Sequence, residues 1–230
     1  MSAVIIGAGG GIGQALAVGL ADEGVHETLY LFARSAPGAD RIDLTDETSI
    51  AAAAARVAAG PPPELVLVAT GLLHAEDRGP ERAMKELDPD WLARQFAVNA
   101  IGPALVAKHF LPIMPRRKRT VFAALSARVG SITDNRLGGW YGYRAAKAAL
   151  NQLIRTLAIE EKRRNPQGIV VGLHPGTVDT PLSRPFQDNV PPSQLFKPDR
   201  AALQLLDVID GLKSSDSGKL LGWDGAEIAP

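Results

Sequence analysis

Tyr143 and Lys147 stand four residues apart in Tyr143-Arg-Ala-Ala-Lys147. On a helix that spacing puts both side chains on one face. A phenol with a reference pKa near ~10 is a poor acid–base group at neutral pH. A neighbouring ammonium favours the phenolate and draws the pKa toward the working range, so Lys147 is expected to lower that of Tyr143. The same lysine can reach the hydroxyls of a bound ribose. A tyrosine that packs, with a lysine covering it, is the structural alternative. Three further positions could join such chemistry. Ser126 closes a strand candidate in Leu125-Ser-Ala-Arg-Val-Gly-Ser131, where a hydroxyl can hydrogen-bond a carbonyl group or serve a turn. Asn99 falls in a helical stretch, where asparagine has no propensity advantage, so it serves a core hydrogen bond or a chemical role. His174-Pro-Gly-Thr-Val-Asp-Thr180 follows another strand candidate.

These residues need elements to position them, and the first lies at the amino end. Five glycines fall within Gly7-Ala-Gly-Gly-Gly-Ile-Gly13. The apolar residues 3–6 before them read as a short buried strand, and Ile12, Leu16 and Leu20 after them follow a helical period. A glycine turn between strand and helix lets backbone N–H groups approach a phosphate at a helix N-terminus. The pattern G-x-G-x-x-G does not fit, because its last place falls on Ile12. The spacing G-x-x-x-G-x-G does, through Gly7, Gly11 and Gly13.

The same alternation continues. Strand candidates are residues 3–6, 28–33, 65–70, 120–125, 169–173 and 219–222. Helix candidates are 12–23, 47–58, 89–110, 141–162 and 199–210. Short apolar strands alternating with longer helices imply an α/β fold of one domain, a doubly wound parallel sheet with helices on both faces. In such sheets ligands bind beyond the carboxyl ends of the strands, so the irregular stretch 180–197 after a strand is a candidate substrate loop.

Composition narrows the partners. The chain has 230 residues, enough for one domain with a sizeable core. Its 25 basic and 25 acidic residues cancel, which removes the electrostatic case for nucleic acid or acidic lipid. The basic runs 116–119 and 162–164 lie near helix ends, where they complement the dipole. With no cysteine there is neither disulfide nor thiolate chemistry, and the four histidines lack metal-ligand spacing. No apolar run is expected to reach membrane length. A strand beginning at residue 3 leaves no room for a targeting segment, so the cytoplasm is the expected compartment.

Taken together, the motifs resemble the short-chain dehydrogenase/reductase family along essentially the whole chain. The resemblance rests on Gly7-x-x-x-Gly11-x-Gly13, Asp43-Leu-Thr-Asp46, Gly71 after a strand, Asn99, a serine, Tyr143-x-x-x-Lys147, and Pro175-Gly176 with Thr180. Arg128-Val-Gly-Ser-Ile132, Asp134-Asn135, Gly138-Gly-Trp-Tyr-Gly-Tyr143 and Trp223-Asp-Gly225 resemble the branch that holds the myxobacterial C-factor and the insect carbonyl reductase sniffer. The resemblance implies a Rossmann-type fold and a hydride transfer between a nicotinamide cofactor and a carbonyl or alcohol. Tyr143 would be the proton donor and Lys147 its partner on the nicotinamide ribose. Ser126 would orient the carbonyl, and Asn99 would hold a water toward Lys147. The glycine turn with Ile12 would hold the pyrophosphate. Asp43 and Leu44 would lie at the adenine. Gly71, Pro175, Gly176, Val178 and Thr180 would complete the cofactor site. A homodimer or homotetramer is implied as well. The chain departs from the family pattern in three places. Ile6 replaces a threonine, Val68-Ala-Thr-Gly71 replaces Asn-Asn-Ala-Gly, and Ala127 stands where relatives carry a second serine. Ser126 or Ser131 then has to fill that role, with Ser126 preferred because it closes the strand.

Cofactor choice reads from the end of the second strand. An acid there would bind the ribose 2′-OH of NAD(H), and an arginine suits the 2′-phosphate of NADP(H). Here the strand ends in Arg34-Ser35, which favours NADP(H) and leaves NAD(H) as the alternative. Two functions are compatible with this reading. One is an oxidoreductase acting on a small carbonyl or alcohol substrate. The other is a nucleotide-binding protein whose output is signalling.

Overall fold

The computed structural model of the chain describes residues 1–75, 78–188 and 190–230. Its strands are β1 (Ser2–Ile6), β2 (Thr28–Phe32), β3 (Pro63–Val68), β4 (Thr120–Leu125), β5 (Gly168–His174), β6 (Thr177–Val178), β7 (Leu195–Phe196) and β8 (Leu220–Gly222). The helices are α1 (Gly11–Glu23), α2 (Glu47–Ala58), α3 (Pro89–Phe96), α4 (Gly102–Phe110), α5 (Tyr141–Arg164) and α6 (Pro198–Gly211). Six strands form one parallel sheet in the order β2-β1-β3-β4-β5-β8, as the alternation implied.

Both faces of this sheet are covered, which is why β1 is buried at every residue. On one face α1 and α6 pack through Leu16, Leu20, Leu205 and Leu206. On the other, α2, α4 and α5 pack through Ile50, Val106, Phe110, Leu150 and Ile154. Each fully buried aliphatic or phenyl side chain contributes about 1.5–3 kcal/mol to that packing. The chain winds outward from β1 to β2, then crosses back to β3 on the other side of β1. The sheet therefore reverses its direction of travel between β1 and β3, and the carboxyl ends of these strands open a crevice there.

Four elements differ from the sequence expectation, the first being the third strand, which spans Pro63–Val68 rather than 65–70. The helix expected over 89–110 is interrupted by a π turn at Ala97–Ile101 and runs on to Ile113. The helix Pro89–Ile113 is long enough to cross a membrane and holds an 18-residue stretch of mean hydropathy 1.3, contrary to the expected absence of such a run. Its apolar stripe at Ala100, Val106, Ala107 and Phe110 belongs to the core. The second strand stops at Phe32, because Ala33 bridges to Arg41 and turns the chain into a tight loop. The stretch 180–197 contains turns at Arg184–Phe186 and Pro192–Gln194 and ends in β7, which pairs with β6. Residue 189 within it lies outside the described residues.

Candidate active site

At the switch point lies a cleft of about 480 Å³, bounded by the ends of β1, β2 and β3. Gly7, Gly9 and Gly10 form its floor, and Arg34 with Ser35, Asp43 with Leu44, and Gly71 form its walls. Arg94 and Val98 close the far side. The glycine turn is wedged too tightly for side chains. Gly7 has φ +95°, and a Cβ at Gly13 would stand 2.1 Å from the Gly7 carbonyl oxygen. So a side chain at position 13 displaces the turn itself. The N-cap of α1 is Gly10, which offers no side-chain bond, so the N–H groups of the first turn are left for a ligand. Asp43 and Arg34 divide the adenosine end. The Asp43 carboxylate accepts hydrogen bonds from Thr45 N at 2.9 Å and Thr45 Oγ1 at 2.7 Å. Those bonds hold its pKa below the ordinary carboxylate value, with Arg34 and Arg41 adding to the effect. Among the described residues the exposed Arg34 makes no ion pair of its own. A glycine floor, free helix N–H groups and an unpaired guanidinium fit a phosphorylated dinucleotide.

Tyr143 and Lys147 belong to the buried stripe of α5, which continues through Leu150, Ile154 and Ala158. That 3.6-residue period carries the pair into the protein at the amino end of the helix. Tyr143 is 8% exposed and Lys147 2%. The Lys147 Nζ lies 5.6 Å from the Tyr143 ring centroid and donates a hydrogen bond to the Leu125 carbonyl at 2.8 Å. Burial pushes the phenol up to about 12 and the ammonium down to about 7. The expected lowering of Tyr143 by Lys147 is therefore not found in the protein alone. A lysine held near neutrality carries too little charge to offset desolvation of the phenolate.

Asn99 lies in the π turn and is fully buried. Its Oδ1 accepts from Leu72 N at 2.9 Å, and its Nδ2 donates to the Leu72 carbonyl and to Gln95 Oε1, each at 2.8 Å. The amide thus clamps the loop after β3 that carries Gly71. A π turn widens a helix and recurs at functional sites. Here Val98 of the turn lines the cleft, and Asn99 holds Leu72, the neighbour of Leu73 in the Tyr143 cluster.

Residues 1–191 match the short chain dehydrogenase family. This chain is a short-chain dehydrogenase/reductase. It is 35% identical over 147 residues to C-signal of Myxococcus xanthus, covering 64% of this chain and 82% of that protein. It superposes on the NADPH-bound carbonyl reductase from chicken fatty liver with a TM-score of 0.85 at 25% identity, over 100% of this chain and 94% of that one. The carbonyl reductase Sniffer of D. melanogaster gives a TM-score of 0.80 at 21% identity over 100% and 99%, a likeness of fold. The branch resemblance read from the motifs agrees with these relatives.

In this short-chain dehydrogenase/reductase the two candidate serines are bonded elsewhere. Alternation along β4 puts Ser126 on the same face as Phe122 and Ala124, toward α5. Its Oγ accordingly donates to Asn151 Oδ1 at 2.6 Å. The Ser131 Oγ accepts from Asp134 N at 3.1 Å and shapes its own turn. Neither hydroxyl bonds Tyr143 among the described residues. Ala127 packs directly with Tyr143 and Leu73. The remaining predicted residues gather at the amino end of α1. The chain leaves β5 at Pro175, turns at Gly176 (φ +76°), and buries Val178 in β6 beside Phe196 and Ile12. The Thr180 methyl stands where a Cβ on Gly11 would come within 2.9 Å. Leu182, Phe186 and Trp140 then cover the Tyr143 pocket. His174 ends β5 with its pKa pushed down to about 4, first by burial and then by Arg128, with Asp224 opposing.

Several contributors escaped the sequence reading. Gln95 precedes Asn99 by one helical turn, and that i, i+4 spacing was a usable signal. Arg94 carried none until the cleft was visible. Glu81, buried beneath the start of α5, has its partner 61 residues away, and no local pattern marks it.

Proposed function

We propose that this short-chain dehydrogenase/reductase is an NADP(H)-dependent oxidoreductase that interconverts a carbonyl compound and an alcohol, through Tyr143, Lys147 and Asn99. The observation that carries the reading is the buried Tyr143–Lys147 pair, whose tyrosine packs with Leu73, the neighbour of Leu72 in the wall of a cleft that also presents Arg34, which makes no ion pair among the described residues. When bound, the reduced nicotinamide would supply a hydride to the carbonyl carbon. Burial keeps the Tyr143 phenol protonated, the form needed to give its proton to the carbonyl oxygen as the alcohol forms. Lys147, near neutrality, can pass between its two protonation states at working pH and return the proton. Asn99 holds the Leu72 loop at the junction of the two compartments. The apolar walls at Leu73, Ala127 and Leu182 exclude water from the reacting carbonyl and suit a neutral, largely apolar substrate.

The experiment is a carbonyl reductase assay on aldehydes, ketones and quinones with each cofactor. NADPH should bind more tightly than NADH, and Arg34→Asp should remove that preference. Tyr143→Phe should keep cofactor binding and lose roughly 10²–10⁴ in turnover. Equal cofactor affinities would sink the NADP(H) assignment, and full activity in Tyr143→Phe would sink the mechanism. Ala127 against Tyr143 and the similarity to C-signal favour one second reading, a nucleotide-binding signalling protein with little turnover. NADPH binding without reduction of any carbonyl compound would select it. A homodimer or homotetramer is expected for either reading, checked by light scattering.

A further inference from the structure

The catalytic helix begins without a cap of its own. The chain enters α5 through three consecutive left-handed residues, Gly138, Gly139 and Trp140, with φ of 64°, 65° and 51°. Glycine adopts that conformation freely, whereas for a bulky residue such as tryptophan it is a genuine outlier. Trp140 is the N-cap of α5 and makes no side-chain capping bond. Its place is taken from elsewhere in the chain. Glu81 is 2% exposed. Its backbone carbonyl accepts from Trp140 N at 2.5 Å, and its Oε2 accepts from Gly142 N at 3.1 Å. Gly142 is the second residue of the helix, the position an N-cap side chain ordinarily serves. A carboxylate there also meets the positive end of the helix dipole. The left-handed loop is pinned from its other side. Asn135 Oδ1 accepts from Gly138 N at 3.1 Å, and Arg144 Nε donates to the carbonyls of Gly138 and Gly139 at 3.2 and 3.1 Å.

The outcome of this clamp is the position of one ring. The Trp140 indole stands edge-on to Tyr143 with centroids 6.4 Å apart, and edge-on to Phe186 of the 180–197 stretch at 5.1 Å. A right-handed entry into α5 would send the indole elsewhere. Strain of this kind persists only where the surroundings over-determine it, and it gathers at ligand clamps.

We propose that Glu81 is a positioning residue that caps the catalytic helix from a distance and thereby fixes Trp140 as the specificity wall of the substrate site. The Trp140 ring bounds the space beside the Tyr143 phenol and favours carbonyl compounds with a bulky apolar or aromatic substituent over short aliphatic ones. This proposal rests on the oxidoreductase reading for its substrate side, whereas the capping side stands on geometry alone.

The test compares Glu81→Gln, which keeps an acceptor for Gly142 N, with Glu81→Leu, which keeps bulk and removes it. NADPH affinity should be unchanged in both. Amide exchange at Gly142 and Tyr143 should stay slow in Glu81→Gln and become fast in Glu81→Leu. For an aromatic aldehyde, kcat/KM should fall by roughly tenfold in Glu81→Leu, the loss expected when the Trp140 wall is displaced, and be largely restored in Glu81→Gln. Trp140→Ala should raise KM roughly tenfold for an aromatic aldehyde and leave a short aliphatic one unchanged. This variant keeps the proposal testable if Glu81→Leu does not fold. The double variant should be no worse than the more impaired single one, because both act through one ring. Slow exchange in Glu81→Leu, or equal losses for both aldehydes in Trp140→Ala, would overturn the proposal. If no form of the protein reduces any carbonyl compound, the oxidoreductase reading fails while the exchange measurement still decides the role of Glu81.

Discussion

Lys147 is the most informative residue to perturb, because its burial makes a thermodynamic claim that does not depend on turnover. Its ammonium is pushed from an ordinary 10.5 to about 7 by burial. In the unfolded chain the same group holds its proton until about pH 10.4. Between these values the unfolded state binds one proton more than the folded state, so stability must rise with pH. The slope is about 1.4 kcal/mol per pH unit for a single group. From about pH 7.5 to about pH 9.5 the wild-type protein should gain about 2.5 kcal/mol from this source alone. The Tyr143 phenol, at about 12 in the fold, begins to ionise in the unfolded chain only near the top of this window, and because both proteins carry it the effect cancels in their difference. Lys147→Met fills the same space without titrating. It leaves the Leu125 carbonyl without its 2.8 Å partner, a pH-independent loss of about 1–3 kcal/mol. Urea unfolding of both proteins at several pH values isolates the titration as the difference between two curves. The variant should lack the wild-type rise, so that the two stabilities converge as the pH is lowered. A constant difference between them across the window would refute the claim that Lys147 is held near neutrality by desolvation.

Other outcomes follow from the same geometry. Ala127→Ser puts a hydroxyl beside Tyr143 and should raise kcat for carbonyl reduction by roughly tenfold, whereas Ser126→Ala should leave kcat within about twofold; a large loss in Ser126→Ala would restore it to the mechanism. Gly13→Ala should weaken NADPH binding and also lower the melting temperature, since the new Cβ meets the Gly7 carbonyl; calorimetry showing unchanged stability would contradict the wedged turn. Arg164 donates to both carboxylate oxygens of the buried Glu161, at 2.7 and 2.6 Å, so Arg164→Ala should destabilise the fold by about 3 kcal/mol in urea titration.

Much of this protein was legible from local pattern. Strand and helix periods are properties of neighbouring residues, so the alternation, the glycine turn and the burial side of α5 could be read from spacing alone. Tyr143 and Lys147 share a face because four residues make about one turn, and Arg34 follows its strand because the chain is continuous there. What tertiary structure decided is every property set by residues far apart in sequence. Ser126 closes its strand as expected, yet the pleat aims it at Asn151, because the face toward α5 is fixed by which side of the sheet that helix covers. The Tyr143 phenol rises rather than falls because burial by Leu73, Ala127, Trp140 and Phe186 removes water from both partners, and desolvation depends on the whole surroundings. Glu81 looks like any surface carboxylate in the sequence. Only the packing of Glu81 against the start of α5 makes it the cap of a helix that begins 60 residues later, a contact that no periodicity encodes.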